Sequence, residues 1–189
     1  MNAMKSLSFD HRIIRRILPH RFSMLLLDRI EIYIPDKRAI VGIKHIGQNE
    51  LLAQGYLPFH PLFPPTLVIE ALAQTCGFMM NLEYLANRGF QVWSLRREKQ
   101  RDIPPVPHSV LAESRMRHYS LTQLGQTLSL QANIILQRNE VYVFKTRALV
   151  DDREITVGDI MLAYPEYTAR WNRASVAPAN LREALHDVG

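Results

Sequence analysis

The 189-residue sequence has a single cysteine and no run of eighteen or more apolar residues. Cys76 cannot form an intramolecular disulfide, so the sequence gives no sign of an oxidising compartment. The lack of a long apolar run argues against a membrane-spanning helix. Residues 1–16 are charged and lack the apolar core of a secretory signal. We therefore expect a cytoplasmic protein.

The sequence also lacks any pair of His, Cys or Asp residues at a recognisable metal-ligand spacing, and it has no Gly-rich phosphate loop. It therefore predicts neither a metal nor a nucleotide cofactor. The net charge is +5 and the pI is near 9.6. Because the positive charge is not interleaved with stacking aromatics, we expect no nucleic-acid binding. A hydrophobic content of 47% suits one domain with a sizeable core.

Residues 66–85 predict one helix, opened by two prolines and with Thr66 as a plausible N-cap. The segment is apolar nearly all round, as is typical of a buried helix. The carboxyl and amide side chains in its first three turns, Glu70 and Gln74, are four residues apart and share one stripe. A buried carboxylate needs hydrogen bonds, a raised pKa or a cavity. The pair is therefore either a packing feature or part of a functional site.

Two strands are predicted before this helix and an antiparallel set after it, which gives an α+β fold with a sheet wrapped round one helix. The tail beyond Pro165 changes in character and contains a short amphipathic piece, so we expect a domain at 1–165 and a C-terminal extension at 166–189. The predicted strands are Ile30–Ile34, Ala39–Ile46, Gln91–Leu95, Val110–Tyr119, Thr127–Gln137, Glu140–Val150 and Glu154–Ala163.

Two motifs resemble 3-hydroxyacyl-[acyl-carrier-protein] dehydratases of the FabZ type. The first is the run from Ile17 to Arg29, which contains Leu-Pro-His-Arg-Phe. The second runs from Gly55 to Pro65 and is followed by Glu70-Ala71-Leu72-Ala73-Gln74. This resemblance implies the hotdog fold. It also implies dimers in which the loop of one subunit faces the helix carboxyl of the other.

Dehydration of a 3-hydroxyacyl thioester requires a base, an acid and donors for the thioester oxygen. By the resemblance, Glu70 matches the acid, whereas Tyr56 stands at the position of the loop His that serves as base. The helix-start Gly, whose N–H binds the thioester oxygen, is replaced by Pro65, which has no N–H. His60 matches a second loop His, four residues from position 56 and too far for a simple exchange with it.

These differences predict an acyl-thioester-binding protein whose dehydratase activity is impaired in the homodimer. Alternatives are an active dehydratase with a rearranged base at His60 or Tyr56, a non-catalytic subunit of a heterodimer, and a hotdog thioesterase. Acyl carrier protein or a CoA thioester is the expected partner, docking on a basic rim, although a solvated charged face explains the same residues. The candidate substrate-binding residues are Gln74, Phe59, Pro65 and Thr66, and the rim is Arg96, Arg97, Lys99 and Arg101.

Overall fold

The computed structural model describes residues 6–57 and 59–164. Three α-helices lie in this part of the chain: α1 (His11–Ile17), α2 (Leu51–Tyr56) and α3 (Pro65–Ala86). The strands β1 to β9 are, in chain order, Leu7–Phe9, Arg29–Ile34, Ala39–His45, Leu62–Phe63, Val110–His118, Thr122–Gln123, Thr127–Arg138, Val141–Val150 and Arg153–Ala163.

Seven of these strands form one sheet in the order β1-β2-β3-β7-β8-β9-β5, and every neighbouring pair is antiparallel. β4 and β6 form a separate two-stranded pair. The tight connection between β7 and β8 contains Asn139 at φ 53°, a conformation that asparagine tolerates better than most residues. The predicted antiparallel sheet around one long helix is confirmed, as is the hotdog fold.

Helix α3 lies in the middle of the core. Fourteen of its residues are buried, from Val68 to Leu85, so its apolar composition reflects burial on nearly all sides. Pro65 is its first residue and Pro64 its N-cap, so the prediction of Thr66 as N-cap is wrong. Proline suits the first helical turn because its missing N–H would have no partner there.

Strand β3 approaches α3 closely at Gly42. A Cβ atom built there would lie 2.6 Å from Thr75 Oγ1 and 3.0 Å from a methyl carbon of Leu27. A side chain at position 42 would therefore push the sheet away from the helix. This contact fixes the distance between the sheet and the middle of α3.

The N-terminal segment folds across α3 and was missed in the sequence analysis. The Asp10 side chain accepts from the Ile13 N–H and caps α1. Asn81 of α3 then donates to Ile17 O at 3.1 Å. Leu26 and Leu27, further along, are buried in the same core. The segment between α1 and β2 is thereby held on α3.

The predicted strand at Gln91–Leu95 is wrong, because residues Val92–Ser94 form a 3-10 turn. Val92 and Leu95 are both buried while Trp93 is exposed, and a spacing of three suits a 3-10 turn better than a strand. Within the two described ranges, no helix has the length and apolarity needed to cross a membrane. The predicted C-terminal extension at 166–189 lies outside the described residues.

Candidate functional site

Glu70 and Gln74 lie on one face of α3, one turn apart. The Gln74 Nε2 donates to Glu70 Oε1 at 2.8 Å. Gln74 is 2% exposed, whereas the side chain of Glu70 is 26% exposed. The pair thus spans the border of the core: the amide lies inside it, and the carboxyl lies at its edge.

Gln74 also binds the N-terminal segment. Its Nε2 donates to Met24 O at 2.6 Å, and its Oε1 accepts from the Leu26 N–H at 2.9 Å. Both amide hydrogens are therefore used by protein acceptors. The candidate substrate-binding residue Gln74 thus holds Glu70 and the 24–26 backbone in place.

His20 lies beside Glu70, although it was not among the residues predicted for the site. Its Nε2 lies 3.5 Å from Glu70 Oε1. Its Nδ1 is buried and has no hydrogen-bond partner among the described residues. His20 belongs to the first motif and is a polar residue between the buried Leu18 and Leu26. No local pattern in the sequence distinguishes it from the neighbouring polar residues.

Burial lowers the pKa of His20 below its usual value, and this is the largest influence on it. The negative charge of Glu70 acts in the opposite direction, while His108 and Arg21 lower the pKa further. The imidazole is therefore neutral at neutral pH, with one ring nitrogen carrying a hydrogen.

The loop carrying the other candidates is exposed. Tyr56 ends α2 and is 49% exposed, and Phe59 is almost fully exposed. The His60 Nδ1 lies 2.6 Å from Phe59 O. Within the described ranges, no hydrogen bond joins Tyr56 or His60 to Glu70. Within a single subunit, therefore, neither Tyr56 nor His60 is hydrogen-bonded to the carboxyl of Glu70.

Pro65 and Thr66 occupy the first two positions of α3. The backbone N–H groups of Leu67 and Val68 both bond to Pro64 O, at 2.9 and 3.2 Å. Because proline has no N–H, the first backbone donor of the helix belongs to Thr66. Thr66 is therefore the residue at which this helix start can present a donor to an oxygen atom.

The predicted basic rim forms an exposed surface after α3. Arg16 of α1 holds this segment by donating to Leu95 O at 2.9 Å and to Glu98 O at 2.6 Å. Arg96 donates to Ser8 O at 2.8 Å. The rim is thus attached to the same N-terminal segment that carries His20.

A pocket of about 470 Å³ lies at the opposite end of α3 from Glu70. Tyr84 and Arg88 line it, and the Arg88 guanidinium lies 3.6 Å from the centroid of the Tyr84 ring. Tyr142, Tyr164 and His108 also line it. None of the candidate site residues lines this pocket.

Comparisons with a family model and with individual proteins point to the same family. Residues 18–158 match the family described as FabA-like domain. The chain is 31% identical over 157 residues to the 3-hydroxyacyl-[acyl-carrier-protein] dehydratase FabZ of Acinetobacter baumannii, covering 80% of this chain and 92% of that protein. The corresponding protein of Syntrophotalea carbinolica is 32% identical over 151 residues, with coverage of 80% and 91%.

A solved structure described as the dehydratase heterocomplex ApeI:P from Xenorhabdus doucetiae shares the fold. One of its chains superposes with a TM-score of 0.61 at 20% identity, covering 80% of this chain and 90% of that one. At 20% identity this similarity shows a shared fold and says nothing about a shared function.

Proposed function

Since this chain belongs to the FabA-like family, we propose that it is an acyl-thioester-binding protein of the 3-hydroxyacyl-[acyl-carrier-protein] dehydratase type, with dehydratase activity impaired in the homodimer. Relatives of that name match it over about four fifths of its length. The observation that carries the proposal is the Glu70–Gln74 pair: a carboxyl is fixed at the edge of the core by a buried amide.

Glu70 supplies the acid for the leaving hydroxyl group. Gln74 holds one of its carboxyl oxygens, Oε1, so the side chain is already oriented before substrate binds. Its partial exposure leaves the carboxyl open to a ligand. This half of the dehydration machinery is complete within one chain.

The other half is deficient in two respects. Tyr56 stands at the position of the base, and a phenol, whose pKa is ordinarily about 10, is a weak base near neutral pH. Pro65 cannot donate to the thioester oxygen, and loss of one such donor typically costs about a hundredfold or more in rate. Together these changes reduce the reaction without removing the acyl-binding groups.

The direct test uses the purified full-length protein and pantetheine thioesters. Calorimetry with an acyl-pantetheine thioester measures binding, and hydration of a 2-enoyl-pantetheine thioester measures the reverse of dehydration. We expect binding with slow hydration, and a large gain in hydration for the double variant Tyr56→His, Pro65→Gly. The matched control is Tyr56→Phe alone, which supplies no imidazole and leaves Pro65, with its missing N–H, in place. Absence of thioester binding would refute the proposal, and rapid hydration by the unmodified protein would refute the impairment.

A mixed dimer is the second candidate, because the acid half is present and the loop half is altered in the same chain. The solved structure from Xenorhabdus doucetiae that shares the fold is described as a dehydratase heterocomplex. A comparable partner for this chain would retain the loop His and the helix-start Gly. In such a dimer Glu70 would complete one of the two sites.

Complementation between variants of this chain tests the composite site. The triple variant Tyr56→His, Pro65→Gly, Glu70→Gln supplies a repaired loop without the acid, and the unmodified chain supplies the acid. We expect co-expression of the two to give hydration activity that neither has alone. A mixture that stays as slow as its components, although the two chains co-purify, would contradict a site shared between subunits. Release of free thiol in the same assay would indicate thioesterase activity instead.

A further inference from the structure

His20 and Glu70 converge without making a normal hydrogen bond. Their nearest atoms, Nε2 and Oε1, are 3.5 Å apart, whereas N–H···O bonds usually span roughly 2.7–3.2 Å. The side chains are 31% and 26% exposed, so both are open to a ligand. They come from different parts of the chain, and Gln74 holds both the carboxyl and the backbone just after His20.

The surroundings of His20 determine which ring nitrogen carries the hydrogen. Nδ1 is buried without an acceptor among the described residues, so an N–H there would be an unsatisfied donor. Nε2 faces Glu70 Oε1, which already accepts from Gln74 Nε2 and is therefore an acceptor. The hydrogen therefore sits on Nε2, and His20 presents a neutral N–H donor beside the Glu70 carboxyl.

A donor and a carboxyl at this separation match a hydroxyl group. A hydroxyl oxygen can accept a hydrogen bond from an N–H while the hydroxyl group itself donates to a carboxyl oxygen. A saturated acyl chain or a 2-enoyl chain has no such group near the thioester. The arrangement thus favours one kind of acyl chain over others.

We propose that His20 and Glu70 form a two-point site for the 3-hydroxyl group of an acyl thioester, with His20 Nε2–H donating to the hydroxyl oxygen. This inference rests on the proposed function and extends it, since it assigns a specificity-determining role to a residue outside the loop. Donation to the hydroxyl oxygen also favours its departure, since charge develops on that atom when the C–O bond breaks.

The test compares two pantetheine thioesters of equal chain length, one 3-hydroxylated and one saturated, by calorimetry with the full-length protein. We expect about tenfold tighter binding of the hydroxylated ligand. His20→Ala should abolish that preference, so that the two ligands bind with equal affinity. His20→Gln should keep part of the preference because its amide can donate. His118→Ala, which changes an exposed histidine at the end of β5, is the matched control.

Three outcomes overturn the inference in distinguishable ways. Equal affinity of the unmodified protein for both ligands shows that no hydroxyl site exists. A preference that survives in His20→Ala, with thermal melting confirming a folded variant, assigns the hydroxyl contact to another residue. Failure to bind either thioester removes the proposed function itself, and the inference with it.

Discussion

Replacing Gln74 with leucine tests whether one amide holds the site together. The leucine would leave the Leu26 N–H and the Met24 C=O without their side-chain partners, and the first of these groups is buried while the second is partly buried. A buried polar group left unpaired costs about 1–3 kcal/mol. The Glu70 carboxyl lies at the edge of the core and can hydrogen-bond to water instead, so losing its bond to Gln74 adds little to the cost. We therefore expect a loss of about 2–4 kcal/mol in the free energy of unfolding.

Urea denaturation followed by circular dichroism measures this loss. Thr75→Val is the matched control, because Thr75 is also fully buried but its hydroxyl bonds only to Ala71 O within the same helix, at 2.9 Å. We expect that control to cost less than about 1 kcal/mol. If Gln74→Leu costs no more than Thr75→Val, the amide does not hold the 24–26 segment and the argument for a pre-positioned Glu70 fails.

Other contacts give three further predictions. Arg38 donates through Nε to Glu83 Oε1 at 2.8 Å and through Nη2 to Oε2, and since Arg38 is 38% exposed, a double-mutant cycle of Arg38→Met and Glu83→Gln should give a coupling of about 1 kcal/mol. Burial raises the pKa of Tyr33 and Tyr164, so as the pH rises the unfolded chain loses these protons before the folded protein does. The free energy of unfolding should therefore fall above about pH 10. Tyr33→Phe should reduce that fall in unfolding curves measured at alkaline pH. The pKa of His20 is lowered on folding, so as the pH drops the unfolded chain binds this proton before the folded protein does. The free energy of unfolding should therefore fall below about pH 6.5. His20→Gln should make the free energy of unfolding less dependent on pH in that range, and an unchanged dependence would contradict the burial of the ring.

Local patterns predicted most of the fold. The strands after α3 alternate or run apolar over ten or so residues and are joined by short turns, so their antiparallel arrangement was predicted from length and spacing. The short elements were not predicted, because they have too few residues to show a pattern. A two-residue strand such as β4 (Leu62–Phe63) has no readable period, and the turn at Val92–Ser94 depends on how the chain leaves the helix.

The sequence predicted the site residues that lie on α3, but it did not predict the residues from other segments that approach them. Glu70 and Gln74 stood out because polar residues interrupt an apolar run at helical spacing. His20 did not, because its approach to Glu70 depends on a contact across about fifty residues of sequence that only the fold creates. The exposed positions of Tyr56 and His60 likewise reflect how α2 lies on the molecule, which no local pattern specifies.

Gln74 and Glu70 have different roles: Gln74 is needed for the fold, whereas Glu70 is needed for the proposed chemistry. The fold needs Gln74, because that amide satisfies backbone groups of another segment. The fold does not need the charge of Glu70: a glutamine at position 70 would still offer an oxygen to the Gln74 Nε2 at the edge of the core. Glu70→Gln should therefore change the free energy of unfolding by less than about 0.5 kcal/mol and abolish hydration by the loop-repaired variant. Loss of stability instead would make Glu70 a structural residue and leave the site without its acid.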